Sequence, residues 1–149
     1  AEWLLTKVFN DIDIPLVIAG KNPSEHLEKL AHTNKNTCLV SNPGEKELQD
    51  LIKKAQVNIL PSFNNTGVKL KLLNALYNGR YCLVNAAAMD GTALNNLCEV
   101  AETAEDFKTM AFTLYCQTFS ETDTRLRETV LNSNYNNDTN ARKLITLIY

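Results

Sequence analysis

Apolar and polar positions along the chain follow two alternating rhythms. Trp3, Leu4, Leu5, Val8, Phe9 and Ile12 fall in adjacent pairs separated by two residues, the spacing of one helix face. Ile14-Pro15-Leu16-Val17-Ile18-Ala19-Gly20 is an unbroken apolar run closed by glycine, as a parallel strand buried on both faces requires, with Pro15 at its start. Asn22-Pro23-Ser24-Glu25 then offers a capping side chain, a proline at the first helical position and an acid in the first turn. It predicts a helix over 23–33 with Leu27, Leu30 and Ala31 inward. The pair of signals repeats: Thr37 to Val40 reads as a strand, and Asn42-Pro43-Gly44-Glu45 opens a helix that turns Leu48, Leu51, Ile52 and Ala55 inward.

The middle of the chain carries the same pattern. Val57 to Leu60 is a strand stopped by Pro61, and Gly67 opens a segment with leucines at 70, 72, 73 and 76 that ends at Gly79. Arg80 to Ala88 reads as a strand grading into a loop of small residues, and Cys98 to Ala101 as a short edge strand. Ala104-Glu105-Asp106 starts a helix with Phe107, Met110, Ala111, Leu114 and Tyr115 inward. Two more helices are expected over 122–131 and 139–148, split by the Asn-rich 132–138. Strands near 15–19, 37–40, 57–60, 81–85 and 98–101 separated by helical stretches imply parallel crossovers, hence an α/β fold with a doubly wound parallel sheet.

Composition narrows the function classes. At 149 residues, 44% apolar and a net charge of -2, the chain is expected to form one domain over 1–149. With only Lys53-Lys54 and Lys69/Lys71 as basic clusters, it has no electrostatic case for nucleic acid or an anionic membrane surface. No apolar run approaches the roughly 18 to 20 residues of a transmembrane segment, and the first residues lack the pattern of an export signal. Cys38, Cys82, Cys98 and Cys116 show no C-x-x-C spacing, and His26 and His32 are six apart, off one helix face. Buried free thiols in a reducing cytoplasm, surface histidines and no metal site are therefore expected. No Ser stands in a G-x-S-x-G frame and no Cys has a His base in its pattern, which argues against an autonomous hydrolase.

In an open parallel sheet ligands bind beyond the carboxyl ends of the strands, where a loop meets the free N–H groups of the next helix. That directs attention to Ser62–Lys71. Lys71 and Asn74 lie one helical turn apart on one face, a cation and an amide suited to a diphosphate and a ribose edge. Lys69 and Lys71 in a first turn oppose the helix dipole, which points to a bound anion; the competing reading is two solvated side chains. Ser62, Asn64 and Asn65 offer polar contacts or simply make a loop, and 85–91 either lets a ligand approach closely or is a tight turn.

The segment Gly67-x-Lys69-x-Lys71-x-x-Asn74-Ala75-x-x-x-Gly79 resembles the donor site of retaining GT-B glycosyltransferases, the bacterial group 1, family 4-like enzymes. The resemblance continues through Glu2-Trp3-Leu4-Leu5 and Ile14 to Gly20, which match the family's first helix and second strand. Ala104-Glu105-Asp106-Phe107 and Leu144 to Tyr149 match its penultimate-helix start and closing helix. It implies the C-terminal, Rossmann-like, nucleotide-sugar-binding half of an enzyme that moves a hexose to a glycan or lipid-linked acceptor. The implied setting is polysaccharide biosynthesis in the cytoplasm, at the inner face of the membrane. The nucleotide-diphosphate sugar is the substrate, with no resident cofactor or metal, and the acceptor side belongs to an N-terminal domain outside this chain. Ser62, Thr66, Gly67, Lys69, Lys71 and Asn74 become the candidate donor contacts. Where the family carries a ribose-binding Glu and an earlier acid that handles the sugar, this chain has Asn74 and Thr66.

The family also places one more strand ahead of the first helix and in mid-sheet. A gap, or a strand supplied from elsewhere in a longer protein, is therefore expected between the strands at Leu16 and Val57. Two alternatives stand beside this reading: a degenerate, non-catalytic scaffold or partner domain, and a flavodoxin-like or receiver-like signalling domain. The latter needs acidic clusters at strand ends, which Val17 to Gly20 and Ile59 to Pro61 do not supply.

Overall fold

A computed structural model describes residues 1–64, 69–92 and 94–148, with Asn95 described in its backbone alone. Its strands are β1 (Leu16–Gly20), β2 (Thr37–Ser41), β3 (Val57–Ile59), β4 (Tyr81–Val84) and β5 (Glu99–Val100). Its helices are α1 (Glu25–Thr33), α2 (Glu45–Lys54), α3 (Leu70–Asn78), α4 (Ala86–Met89), α5 (Ala104–Cys116), α6 (Glu121–Tyr135) and α7 (Asn137–Ile148). Ahead of β1, a wide helical turn spans Leu4–Val8, closed by Phe9 N donating to Leu4 O at 2.8 Å.

Every strand pairing is parallel, with Leu16 opposite Thr37, Val57 opposite Tyr81 and Leu83 opposite Glu99. Helices cover both faces. On one side Leu16, Ile18, Val57, Ile59 and Leu83 pack with the opening turn, α1 and α5 around Val8 and Phe107. On the other, Cys82 and Val84 pack with Leu72, Ala75 and Leu76 of α3, Met89 of α4 and Leu131 of α6. The alternation Cys82, Leu83, Val84 thus feeds two cores, as a strand buried on both faces must. This is the doubly wound α/β arrangement the alternation of elements predicts.

The strands divide into a two-stranded sheet, β1-β2, and a three-stranded sheet, β3-β4-β5. β1 and β3 each end a sheet and do not pair with each other. Apolar residues of both nevertheless share one core cluster, and the direct pairing that would contradict a gap between the strands at Leu16 and Val57 is not seen among the described residues.

Several local expectations shift. Ser24, not Asn22, caps α1, its hydroxyl accepting from Leu27 N at 3.1 Å. Asn22 and Asn42 instead hold left-handed turns with φ of 47° and 54°, and Asn22 N donates to Asn42 Oδ1 at 2.9 Å. Asparagine tolerates that region because its short polar side chain bonds locally. Residues 86–89 form the short helix α4 rather than an open loop, because Ala88 and Met89 are buried against the α3 core. α6 continues through Asn132 and Asn134 to Tyr135, held by Leu131 in the core, so the break before α7 is confined to Asn136. Tyr115 points outward, since the inward stripe of α5 passes through Phe107, Ala111 and Leu114.

Only Cys82 is fully buried; Cys98 is half-buried, and Cys38 and Cys116 are exposed, although all four are free. Cys38 falls on the outward face of β2, and Cys116 on the last turn of α5. Burial pushes the Cys82 thiol up to about 12 and that of Cys98 to about 11. His26 and His32 are exposed, as expected. Among the described residues, no helix is long and apolar enough to cross a membrane.

Candidate functional site

The carboxyl end of β3 leads through Leu60 and Pro61 into the loop ahead of α3. That loop is tied to the end of β4 by a reciprocal amide clasp. Ser62 N donates to Asn85 Oδ1 at 2.8 Å, and Asn85 Nδ2 donates to Ser62 O at 2.8 Å. Ser62 Oγ turns back to donate to Asn64 O at 2.8 Å, so this hydroxyl is engaged in shaping the loop. Asn85 carried little signal in the sequence, where it sat among small residues that any turn needs. A polar residue closing an apolar strand was the sign available.

Thr66 and Gly67 lie outside the described residues. The described chain resumes at Lys69, the N-cap of α3, whose ammonium donates to Asn64 O at 2.9 Å. Lysine has no acceptor to offer the helix, so its side chain leaves the first-turn N–H groups uncapped. By contrast α1, α5 and α6 are capped by the hydroxyls of Ser24, Thr103 and Ser120. Lys71 is exposed in the first turn, and α3 has no acidic residue there. A cation at the positive end of a helix whose first-turn N–H groups have no side-chain cap among the described residues is suited to an anion.

Asn74 sits one turn on, partly buried against α2. Its Oδ1 accepts from Gln49 Nε2 at 3.1 Å and from Asn78 Nδ2 at 2.9 Å, and Asn78 Nδ2 also donates to Asn74 O at 3.0 Å. Gln49, on α2, was not singled out by the sequence pattern, because nothing local relates it to a residue 25 positions away. The structure therefore brings Ser62, Lys69 and Lys71 together around one loop-to-helix junction and carries Asn74 into the seam between two helices.

Two further features border the loop. Phe63 is 70% exposed and meets Trp3 edge to face at 5.9 Å, and Trp3 in turn meets Phe107 at 5.3 Å, so an outward aromatic ring is braced from the core. Glu102 accepts from Ala86 N at 2.7 Å, fixing the start of α4 beside Asn85.

Behind the site, Arg127 of α6 holds the far end of α3. The residue is only 7% exposed, and its guanidinium donates to Leu76 O at 3.3 Å, to Gly79 O at 2.7 Å and to Arg80 O, while lying 4.8 Å over the Phe119 ring. The last carbonyls of a helix carry partial negative charge and need donors, and this cation supplies them. Gly79 is packed so closely that a Cβ there would stand 2.4 Å from Asn58 Nδ2 and 2.9 Å from Ala75 O. α3 is thus pinned at its carboxyl end.

A family model described as glycosyl transferases group 1 matches residues 1–113. An uncharacterized 44.6 kDa protein in the cps region of Klebsiella pneumoniae is 34% identical over 104 residues, covering 63% of this chain and 27% of the relative. The matched part of this chain thus spans about a quarter of that relative's length. No solved structure matches. With the family model covering most of its length, the chain belongs to the group 1 glycosyltransferases.

Proposed function

We propose that this chain is the donor-binding half of a GT-B glycosyltransferase that moves a hexose from a nucleotide-diphosphate sugar to a glycan or lipid-linked acceptor. The observation that carries the reading is the β3–α3 junction, where, among the described residues, the exposed Lys71 has no hydrogen-bond or ion-pair partner and no side chain caps the first turn of α3, in a chain of this family. Lys71 meets the diphosphate. Lys69 holds Asn64 and, with it, the shape of the loop. Gly67 and Thr66 are assigned to the donor contacts by the family resemblance alone, and Ser62 shapes the described part of the loop through the clasp with Asn85. Two ammonium groups and a helix terminus compensate the diphosphate charge, so the reading calls for no metal.

The slot between β1 and β3 belongs to a strand from a part of the protein outside this chain, and the acceptor site to an N-terminal domain there. The cps-region location of the relative supports polysaccharide assembly, with the enzyme working from the cytoplasm at the inner face of the membrane. A second reading, a non-catalytic partner that binds the nucleotide without transferring sugar, is favoured by the absence of a carboxylate at positions 66 and 74.

Calorimetric titration of the full-length protein with UDP, GDP and ADP tests the first reading. At least one binds, and Lys71→Ala weakens it by about 1.5 to 3 kcal/mol, the worth of a charged hydrogen bond. Equal affinities in wild type and variant remove Lys71 from the site. Binding without release of sugar from the matching nucleotide-sugar selects the second reading.

A further inference from the structure

At its carboxyl end the β3–β4 ladder gains a rung that no backbone carbonyl supplies. Leu60 N donates to Leu83 O at 2.9 Å, and in a parallel ladder the next such bond runs two residues on, from Ser62 N to Asn85 O. That carbonyl is already spent, because β4 turns into α4 here and Asn85 O accepts from Ala88 N at 2.9 Å. The Asn85 side chain takes its place. Its Oδ1 receives Ser62 N and its Nδ2 donates to Ser62 O, each at 2.8 Å. Both Ser62 atoms are of fixed polarity, so the amide has one orientation, and the rung needs an acceptor and a donor side by side. Aspartate lacks the donor and alanine lacks both.

From Ser62 the bonding runs on to the amino end of α3. Ser62 Oγ donates to Asn64 O at 2.8 Å and accepts from Asn64 N at 3.4 Å, and Lys69 Nζ donates to the same Asn64 oxygen at 2.9 Å. Both lone pairs of Asn64 O are thereby filled. A bare carbonyl at this point would set partial negative charge against an anion. Filled, it becomes a fixed seat for the Lys69 ammonium, and the bond uses one of that group's three hydrogens.

We propose that Asn85 is a positioning residue for the donor site: acting through Ser62 and Asn64, it fixes the Lys69 ammonium at the amino end of α3. The inference rests on the proposed donor-binding reading and deepens it, since it puts a determinant of affinity at the end of β4, in a residue that need not touch the ligand. No bond of this relay reaches Lys71 among the described residues, so the two lysines answer to different supports.

The test titrates the full-length protein calorimetrically with whichever of UDP, GDP and ADP it binds. Asn85→Asp keeps the size and the acceptor for Ser62 N but turns an oxygen toward Ser62 O, and Asn85→Ala removes the rung. Each should weaken binding about tenfold, the worth of one charge-assisted hydrogen bond. A looser fold would weaken binding as well, so a double-mutant cycle decides. Lys69→Met weakens binding, and adding Asn85→Ala to it should weaken it less than about twofold further, because the seat then holds no cation. Combined with Lys71→Ala, the effect of Asn85→Ala multiplies in full.

Full multiplication with Lys69→Met too, or an affinity equal to wild type in Asn85→Ala or in Lys69→Met while Lys71→Ala still weakens binding, overturns this inference alone. Ser62→Ala leaves the backbone clasp whole and cuts the relay one step later, so it carries the same test if Asn85→Ala does not fold. It should weaken binding in the wild-type background and leave Lys69→Met unchanged; an affinity equal to wild type, or multiplication with Lys69→Met, breaks the relay and overturns the proposal. Failure of all three nucleotides to bind the wild-type protein overturns the donor-site reading and this inference with it.

Discussion

Replacing Arg127 by Met keeps a side chain of similar length in the seam between α6 and α3 but withdraws the donors from Leu76 O, Gly79 O and Arg80 O. A hydrogen bond from a charged donor is worth about 1.5 to 3 kcal/mol, so three of them make a large gross term. Against it stands the several kcal/mol that burying a guanidinium costs, and burial does hold the Arg127 pKa below its ordinary value. The net effect is smaller than the sum. Carbonyls left in a packed seam without donors lose about 1 to 3 kcal/mol each unless water reaches them. The contact with Phe119 adds about 1 kcal/mol more. A destabilisation of about 3 to 4 kcal/mol is expected for Arg127→Met, a large share of the roughly 5 to 15 kcal/mol available to a domain. Arg127→Lys should recover little of it, because a single ammonium cannot span three carbonyls as the planar fork does. Urea unfolding followed by circular dichroism measures both. A loss under 0.5 kcal/mol in Arg127→Met, or full recovery in Arg127→Lys, refutes the claim that a charged fork holds the end of α3.

Two further predictions concern the same frame. Gly79→Ala places a methyl group 2.4 Å from Asn58 Nδ2 and 3.1 Å from Ile52 O, so it should destabilise by about 1 to 3 kcal/mol, the range for overpacking. A neutral result in the same unfolding assay would show that β3 and α2 can yield there. Thr103→Ala removes the hydroxyl that accepts from Asp106 N at 3.1 Å and should cost about 1 kcal/mol at neutral pH. The hydrogen bonds from Thr103 hold the Asp106 carboxyl below its ordinary value, so that part of the stabilisation is whole above pH 3.8 and is lost as pH falls through the lower folded-state value. The gap between wild type and variant in thermal midpoint should therefore narrow in acid. A constant gap would detach it from Asp106.

Much of the architecture was legible because strands buried on both faces must be unbroken apolar runs and helices covering them must repeat every three to four residues. The strands expected near 15–19, 37–40 and 81–85 announced themselves in that way, and so did the turn separating Lys71 from Asn74. The glycines, lysines and Leu-Ala frame of 67–79 were enough to name the family, which the match over residues 1–113 bears out. Periodicity says which residues share a face and is silent on what the face meets. The exposure of Cys38 and Cys116 was missed for that reason, as was the outward turn of Tyr115.

The site divides along the same line. That an anion-suited junction follows β3 was set by Lys69, Lys71 and the strand before them, all local. That Asn85 clasps Ser62, that Arg127 grips the end of α3 from about 50 residues away, and that Gln49 reaches the oxygen of Asn74 were decided by packing alone. A hydrogen bond between distant residues depends on orientation within a few tenths of an ångström, and only the assembled helices and strands supply it.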